Sequence, residues 1–234
     1  KTSITIPSNF FTFHPIHIIR FVATYNRLDD DAGKNIAQCI ITNQSLNYLD
    51  LRHNYFADIS GILIAQAIIK NKSLTLVSLA HNRLGAKCGL EFAQMIAKNQ
   101  KLKSLNFAFN RLGARLYWKN FHTKIFIESS GPALCTALEY NYSLTYLNIS
   151  DNLLGPTTAI ALDKALRHNK QNQILSLGLA GNCLAQNGGK ALARVLKSVS
   201  LTHLDASRNN FDTCVGTAFA SSLKKNDKLL YLDL

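Results

Sequence analysis

The chain has 234 residues, of which 47% are hydrophobic, so it is long enough to bury a continuous core as one large domain or as an array of repeats. It carries 26 Lys and Arg against 14 Asp and Glu, a net charge of +12, which permits anionic partners but does not bear on the fold. No run of 18 apolar residues occurs, so no membrane-spanning helix is predicted.

The cysteines indicate a reducing environment. There are five, an odd number, and none has the C-x-x-C spacing of a zinc ligand pair. A zinc site or a disulfide framework is therefore not predicted, and free thiols fit a cytoplasmic location. The cysteines are Cys39, Cys88, Cys135, Cys183 and Cys214.

A repeated pattern runs along the chain from Ile18 to Leu234. Its copies are IIRFVATYNRL at 18–28, LNYLDLRHNYF at 46–56, LTLVSLAHNRL at 74–84, LKSLNFAFNRL at 102–112, LTYLNISDNLL at 144–154, ILSLGLAGNCL at 174–184, LTHLDASRNNF at 201–211 and a final start, LLYLDL, at 229–234. The first copy is the weakest. Eight copies in register indicate an array of about eight repeats over 18–234, preceded by a non-repeat segment, 1–17.

The copies fit L-x-x-L-x-L-x-x-N-x-L, the signature of leucine-rich repeats. The chain resembles the ribonuclease-inhibitor-like subtype of that family, because Asn26, Asn54, Asn82 and Asn110 are each 28 residues apart and the second half of each unit has a helical pattern. The resemblance implies an α/β horseshoe solenoid, with parallel strands on the concave side and helices on the convex side.

The physical chemistry of the pattern agrees with this fold. The apolar positions of each copy place side chains in a core, and the Asn can bond backbone groups of the tight turn, so that stacked Asn residues form a ladder. Runs such as 90–99 and 190–197 have apolar residues at helical spacing. One strand–helix unit cannot bury its apolar face alone, so neighbouring units must stack.

The strand positions between the leucines point into the concavity and form the predicted partner-binding set. Aromatic and Arg residues dominate the energetics of protein interfaces, which favours a protein partner over a bare solvated face. Gly178 and Gly181, in the sixth copy, would let a partner approach the backbone. The predicted set is Tyr48, Asp50, Arg52, His53, His81, Asn106, Phe109, Tyr146, Asn148, Asp151, His203, Asp205, Arg208 and Tyr231.

The distribution of charge argues against nucleic acid as the concave ligand. The predicted concave positions of the second to eighth copies contain two Arg against four Asp, while the excess of Lys and Arg falls on the predicted helices and their ends. An Arg follows the ladder Asn at Arg27, Arg83 and Arg111, with Tyr55 interrupting the row. That row is a candidate for binding anions.

Catalytic and cofactor motifs are missing from the sequence, so neither an enzyme nor a cofactor is predicted. Neither G-x-x-x-x-G-K-[ST], G-x-S-x-G nor H-E-x-x-H occurs. His53 and His81 have the same place in adjacent copies, roughly 5 Å apart, but no third metal ligand is evident beyond Asp50. Asp29, Asp30 and Asp31 are predicted to cap the first helix.

A stretch of fourteen residues, RLYWKNFHTKIFIE at 115–128, interrupts the fourth copy. Removing it returns Gly131 to seven residues after Asn110, as in other copies, so it is predicted to be an insertion between strand and helix. It is a functional loop on the rim, a segment that packs its aromatic rings on a neighbouring repeat, or a mistranslated intron. Its candidate contact residues are Tyr117, Trp118, Lys119, Phe121, His122 and Lys124.

Two functions follow from the resemblance. The first is a non-enzymatic scaffold that binds a protein partner on its concave face and rim, as the family's ribonuclease inhibitor and receptor sensor arrays do. The alternative is a regulator of a small GTPase resembling the Ran GTPase-activating protein, although the acidic tail of that family is not present here.

Overall fold

Strands and helices alternate along the chain. The structure is a computed structural model that describes residues 18–113, 116–120, 123–126 and 129–234. The helices are α1 (Asp30–Thr42), α2 (Asp58–Lys70), α3 (Ala86–Lys98), α4 (Gly131–Ala137), α5 (Pro156–His168), α6 (Ala185–Ser198) and α7 (Thr213–Leu223). The strands are β1 (Arg20–Val22), β2 (Tyr48–Asp50), β3 (Leu76–Ser78), β4 (Ser104–Asn106), β5 (Leu116–Asn120), β6 (Thr123–Phe126), β7 (Tyr146–Asn148), β8 (Ser176–Gly178), β9 (His203–Asp205) and β10 (Tyr231–Asp233).

Eight of these strands form one parallel sheet in the order β1-β2-β3-β4-β7-β8-β9-β10. Equivalent positions of successive copies pair directly: Tyr48 aligns with Leu76 and Ser104 aligns with Tyr146. Each helix packs on its neighbours in sequence order, so the array is the predicted α/β solenoid. The predicted helical runs at 90–99 and 190–197 lie in α3 and α6, apart from Asn99, which ends α3.

The core lies between the sheet and the row of helices. The Leu positions of the pattern point inward, as predicted, and residues such as Leu49, Leu79 and Leu105 are fully buried. The helices contribute Ile64, Phe92 and other apolar side chains to the same continuous core. Each unit therefore buries its apolar face against its neighbours, which is the driving force for stacking.

The Asn ladder is confirmed. Asn82 Nδ2 donates to the carbonyl oxygens of Leu51 and Leu79 at 3.0 Å each, and its Oδ1 accepts from Phe56 N–H at 3.2 Å. The same bonds recur at Asn54, Asn110, Asn152, Asn182 and Asn209. A buried amide thus supplies partners for turn groups that have no strand neighbour.

A second row of Asn residues lies at the helix C-termini. Asn71 Nδ2 donates to the carbonyls of Ile40 and Asn43 at 2.8 Å, and its Oδ1 accepts from the N–H groups of Ser73 and Leu74. Asn99, Asn141, Asn169 and Asn226 make similar bonds. Asn71 and Asn141 of this row each begin an N-x-S sequence, the acceptor pattern for N-glycosylation. Burial of both residues excludes glycosylation of the folded chain at these two sites.

The row is interrupted at Val199, the position equivalent to these Asn residues after α6. The next inward Leu, Leu201, follows Val199 by two positions, whereas Leu74 follows Asn71 by three. An open cleft of about 740 Å³ lies beside this interruption, with Arg167, Lys170 and Val199 in its lining.

Neighbouring helices approach closely at the repeated Gly. At Gly61, in α2, a Cβ atom would meet the Cys88 side chain of α3 at 2.7 Å. A larger residue at this position would separate adjacent helices, which accounts for the recurrence of Gly there.

The acidic start of α1 caps two helices rather than one. Asp29 accepts from the N–H groups of Asp31 and Ala32 and caps α1, as predicted. Asp30 instead reaches the next repeat, where its Oδ1 accepts from Ala57 N–H at 2.9 Å and from Ser60 Oγ at 2.6 Å. Asp58 likewise caps α3, because its Oδ1 accepts from the N–H groups of Gly85 and Cys88. These carboxylates connect successive repeats.

Strands β5 and β6 pair antiparallel between β4 and α4 in chain order. Of the predicted contact residues in this region, Tyr117, Trp118, Lys119 and Lys124 belong to these strands, and Phe121 and His122 lie outside the described residues. The predicted non-repeat segment, 1–17, also lies outside them. None of the helices in the described part of the chain is both long and apolar enough to cross a membrane.

Replacing Asn82 by Ala should lower the free energy of unfolding by about 3 kcal/mol, because it leaves several buried carbonyl and N–H groups unpaired. Asn26→Ala is the matched control at the exposed first rung, where the amide bonds only Thr24 O among the described residues, and should change stability by less than about 0.5 kcal/mol. Urea denaturation followed by circular dichroism measures both. Equal effects of the two substitutions would contradict a structural role for the buried ladder.

Candidate protein-binding surface

The concave face is built from rows of equivalent strand residues. The first row contains Tyr48, Tyr146, His203 and Tyr231. They occupy the same position in their strands, and that position pairs in register with the equivalent residue of the adjacent strand. Alternation along each strand buries the intervening residue, so this row is held on the outer face of the sheet. The structure thus places these four predicted residues on one surface.

The next row has a structural role that the sequence did not indicate. Oδ1 of Asp50, Asn106, Asn148 and Asp205 accepts a hydrogen bond from the backbone N–H two residues later, at 2.9–3.2 Å. A short polar side chain at this position therefore fixes the exit of the strands β2, β4, β7 and β9. These predicted contact residues are in part committed to their own backbone.

Asp50 is the centre of a polar network at the second and first repeats. Arg52 Nη2 and Nε donate to its carboxylate at 2.7 and 2.9 Å, and Tyr48 Oη donates at 3.4 Å. The guanidinium of Arg20 lies 3.9 Å from the centre of the Tyr48 ring. Although burial raises the pKa of Asp50, the hydrogen bonds from Arg52 and Tyr48 and the charge of Arg52 hold it below its ordinary value.

A column of four aromatic rings crosses the first four repeats. Tyr25, His53, His81 and Phe109 each precede a ladder Asn, and their ring centres are 4.0, 4.0 and 4.2 Å apart with nearly parallel planes. Each has φ between 55° and 56°, the left-handed conformation that the turn imposes. We call Tyr25, His53, His81 and Phe109 the ring column.

The ring column does not form a metal site. His53 and His81 are adjacent, as predicted, but their ring planes are nearly parallel, so nitrogen lone pairs in those planes do not converge on one ion. Among the described residues, no group of three His, Cys, Asp or Glu could hold a metal ion. Burial lowers the pKa of His81, and the positive charges of His53 and Arg52 lower it further, which favours the neutral form of the His81 ring.

The column continues as an ion pair in the later repeats. Arg208 Nη1 and Nη2 donate to the two carboxylate oxygens of Asp151 at 2.7 and 2.9 Å, across the intervening Gly181. Gly181 has a φ of 62°, and a Cβ atom there would collide with Asp151 Oδ1. The missing side chain therefore makes room for a pair that spans three repeats.

The predicted opening over the sixth repeat is wrong. Side chains of the preceding repeat occupy the space, since a Cβ atom on Gly178 would meet Asn148 Oδ1 at 2.5 Å and one on Gly181 would meet Asp151. Gly178 is itself buried. At Gly178 a partner would therefore meet Asn148 and not the backbone.

The concave charge is unevenly distributed. Two of its acids are paired with Arg, Asp50 with Arg52 and Asp151 with Arg208. Asp205 and Asp233 stand next to each other at the C-terminal end of the sheet, where Asp233 raises the pKa of Tyr231. On the convex side, Asp163 is buried and accepts from both Arg167 and Arg194, so two of the predicted helix cations are partly neutralised.

Three features of this surface were not predicted from the sequence. Arg20 and Tyr25 belong to the concave network and the ring column, but the predicted set began with the second repeat. Tyr55 does not simply interrupt the Arg row, because the Arg83 guanidinium lies 4.1 Å from the centre of its ring. The first copy of the repeat does place Arg20 and Tyr25 at concave positions, so the sequence could have predicted them. Nothing in the sequence predicts that rings and guanidinium groups stack.

Gly181→Ala should lower the free energy of unfolding by about 2 kcal/mol, because it adds strain at positive φ and displaces the carboxylate of Asp151. Gly216→Ala is the matched control: its Cβ would meet nothing within 4 Å, and the exchange in helix α7 should be neutral or stabilising. Chemical denaturation measures both variants. A Gly181→Ala variant as stable as Gly216→Ala would contradict the assigned role of Gly181.

Asp50→Asn should destabilise the protein by about 2 kcal/mol at neutral pH, because it removes a charged acceptor from Arg52. The folded-state pKa of Asp50 is lowered, so its contribution is present above the unfolded-state pKa of about 3.9 and disappears as the pH falls through the lowered value. The difference between variant and wild type should therefore narrow below about pH 4. The test is to measure the free energy of unfolding from pH 3 to 7, with the exposed Asp31→Asn as the control. A difference between Asp50→Asn and wild type that stays constant over this range would refute the prediction.

Known structures share this architecture. The leucine-rich repeat family model matches residues 42–65 and 98–115, and no curated protein sequence matches significantly. The leiomodin-1 actin-binding site 2 has a TM-score of 0.51 and 16% identity, over 66% of this chain and 82% of that chain. The plant peptide hormone receptor RGFR1 in complex with RGF2 has a TM-score of 0.51 and 18% identity, over 97% of this chain and 37% of that chain. By fold, the chain is a leucine-rich repeat solenoid.

Proposed function

We propose that this protein is a non-enzymatic scaffold that binds a protein partner on the concave face of its solenoid. The observation that carries the proposal is the continuous tract formed by the ring column and the Asp151–Arg208 pair across seven repeats. Its side chains are held by stacking and by bidentate bonds before any partner arrives. A preordered surface loses little conformational entropy on binding, which favours recognition.

The chemistry of the face suits a protein ligand. Tyr48, Tyr146 and Tyr231 offer rings with a polar end, the combination that is enriched in protein interfaces. Arg52 and Arg208 keep exposed guanidinium surface beside their carboxylate partners. We propose the contact set Tyr48, Asp50, Arg52, His53, His81, Asn106, Phe109, Tyr146, Asn148, Asp151, His203, Asp205, Arg208 and Tyr231.

The similar structures support this class of function. One is named for an actin-binding site and the other is a peptide hormone receptor in complex with RGF2, so each is named for the binding of another molecule. We further propose the ribonuclease-inhibitor-like subtype, which is supported by the α-helix that follows each of the strands β1, β2, β3, β7, β8 and β9 directly in the chain.

We also propose that the segment 115–128 adds a second contact at the rim. Its two strands pair with each other and are not part of the eight-stranded sheet. The region connects β4 to α4 in chain order. Tyr117, Trp118, Lys119, Phe121, His122 and Lys124 are the proposed contact residues, and a deletion of 115–128 that leaves partner capture unchanged would exclude this contact.

Affinity capture from native lysate followed by mass spectrometry tests the scaffold function. Wild-type protein should retain a partner that a Y48A/Y146A/Y231A variant loses by about 10-fold or more, because truncated aromatic anchors each cost on the order of 1 kcal/mol or more. Tyr140 and Tyr142, exposed outside the concave face, provide the matched control Y140A/Y142A. Equal capture by all three proteins would refute concave binding.

A further inference from the structure

We propose that the rim of the first four repeats is a docking site for an acidic polypeptide segment. The site consists of Arg27, Tyr55, Arg83 and Arg111, the residues that follow the ladder Asn of each repeat, and is called the basic rim. The inference rests on the proposed protein-binding function and adds the chemistry of one part of the partner. The four residues of the basic rim lie outside the concave contact set.

The backbone holds these side chains in a regular row. Tyr55 N–H donates to Leu28 O, Arg83 N–H to Phe56 O and Arg111 N–H to Leu84 O, each at 2.8 Å. The ladder residues Asn54, Asn82 and Asn110 fix the turns immediately before Tyr55, Arg83 and Arg111. The spacing of the basic rim is therefore set by the stacking of repeats, and all four side chains are exposed.

The arginines of the basic rim are available for a ligand. Within the described residues, Arg52, Arg167, Arg194 and Arg208 all form ion pairs, whereas Arg27, Arg83 and Arg111 form none. Tyr55 holds the Arg83 guanidinium over its ring at 4.1 Å. A guanidinium stacked on a ring keeps its N–H edge free, and that edge matches the two oxygens of a carboxylate.

Charge is concentrated at one end of the row. Asp29 and Asp31 lie close to Arg27 in the sequence and oppose its charge, whereas Arg83 and Arg111 are followed by no acid in their turns. Asp58, the acid near them, is already occupied by the N–H groups of Gly85 and Cys88. The strongest attraction for an anion is therefore at Arg83 and Arg111.

Apolar surface lies beside these two arginines. Phe109, at the end of the ring column, is 46% exposed, and Leu153, the next residue along the rim, is 58% exposed. Tyr55 is 41% exposed on the other side. A ligand that combined carboxylates with an aromatic or aliphatic side chain would satisfy both parts of this surface.

The geometry favours polypeptide over nucleic acid. Single-stranded nucleic acids bind by stacking bases on open aromatic faces. In the ring column the faces of His53 and His81 are covered on both sides by neighbouring rings at 4.0–4.2 Å, and Arg83 covers a face of Tyr55. Carboxylates need only the guanidinium edges, which stay accessible.

Fluorescence anisotropy with a labelled peptide, (Glu-Glu-Phe)4, tests the proposal on the whole chain. Wild-type protein should bind it more weakly as NaCl rises from 50 to 200 mM, because exposed ion pairs are screened. R83E/R111E should lower the affinity about 10-fold or more. The matched control K98E/K101E makes the same change of charge at exposed lysines at the end of α3 and should lower it less than about threefold.

Three other results would contradict binding of an acidic polypeptide at the basic rim. Equal losses in R83E/R111E and K98E/K101E, or equal affinity for the neutral peptide (Gln-Gln-Phe)4, would overturn the basic rim as the site. Tighter binding of a labelled 12-nucleotide oligo-dT than of the peptide would assign the surface to nucleic acid instead. Y48A/Y146A/Y231A should bind the peptide like wild type. If the protein binds the peptide but Y48A/Y146A/Y231A captures partners from lysate as well as wild type does, only the scaffold proposal is rejected. If capture from lysate depends on these tyrosines but the peptide does not bind, only the basic rim is rejected.

Discussion

The buried amide of the ladder Asn is the interaction on which the rest of the structure depends. Each one donates to carbonyls of its own turn and of the preceding repeat and accepts an N–H from that repeat, as Asn82 does with Leu51, Leu79 and Phe56. Without it, the chain could not leave the sheet inside the core, because the turn groups would be buried and unpaired. The ladder thereby converts stacked units into one continuous body.

The same turn creates the recognition surface. The residue before each ladder Asn is held in the left-handed region, which non-Gly residues adopt at an energetic cost. Where these residues are aromatic, they stack as the ring column. Where they are Asp151 and Arg208, with Gly181 between them, they form an ion pair. Stability and binding therefore share one structural device.

Electrostatics divides this surface into two ends. The first four repeats expose arginines without ion-pair partners among the described residues, while the last two repeats place Asp205 beside Asp233. The central acids, Asp50 and Asp151, are matched by Arg52 and Arg208. A partner that lies along the array would therefore meet opposite charges at its two ends, which gives orientation as well as affinity.

The sequence alone determined the fold, because the spacing of Leu and Asn specifies which side chains must be buried and which turns need an amide. It also placed His53, His81, Asp151 and Arg208 at equivalent positions of their repeats. It did not reveal that rings at those positions stack, that Arg208 reaches Asp151 over Gly181, or that the Gly178 backbone is covered by Asn148. Nor did it assign Asp30 to the following helix. These contacts join residues from different repeats, and only the tertiary structure decides them, because they depend on how closely repeats stack and which rotamers that distance allows.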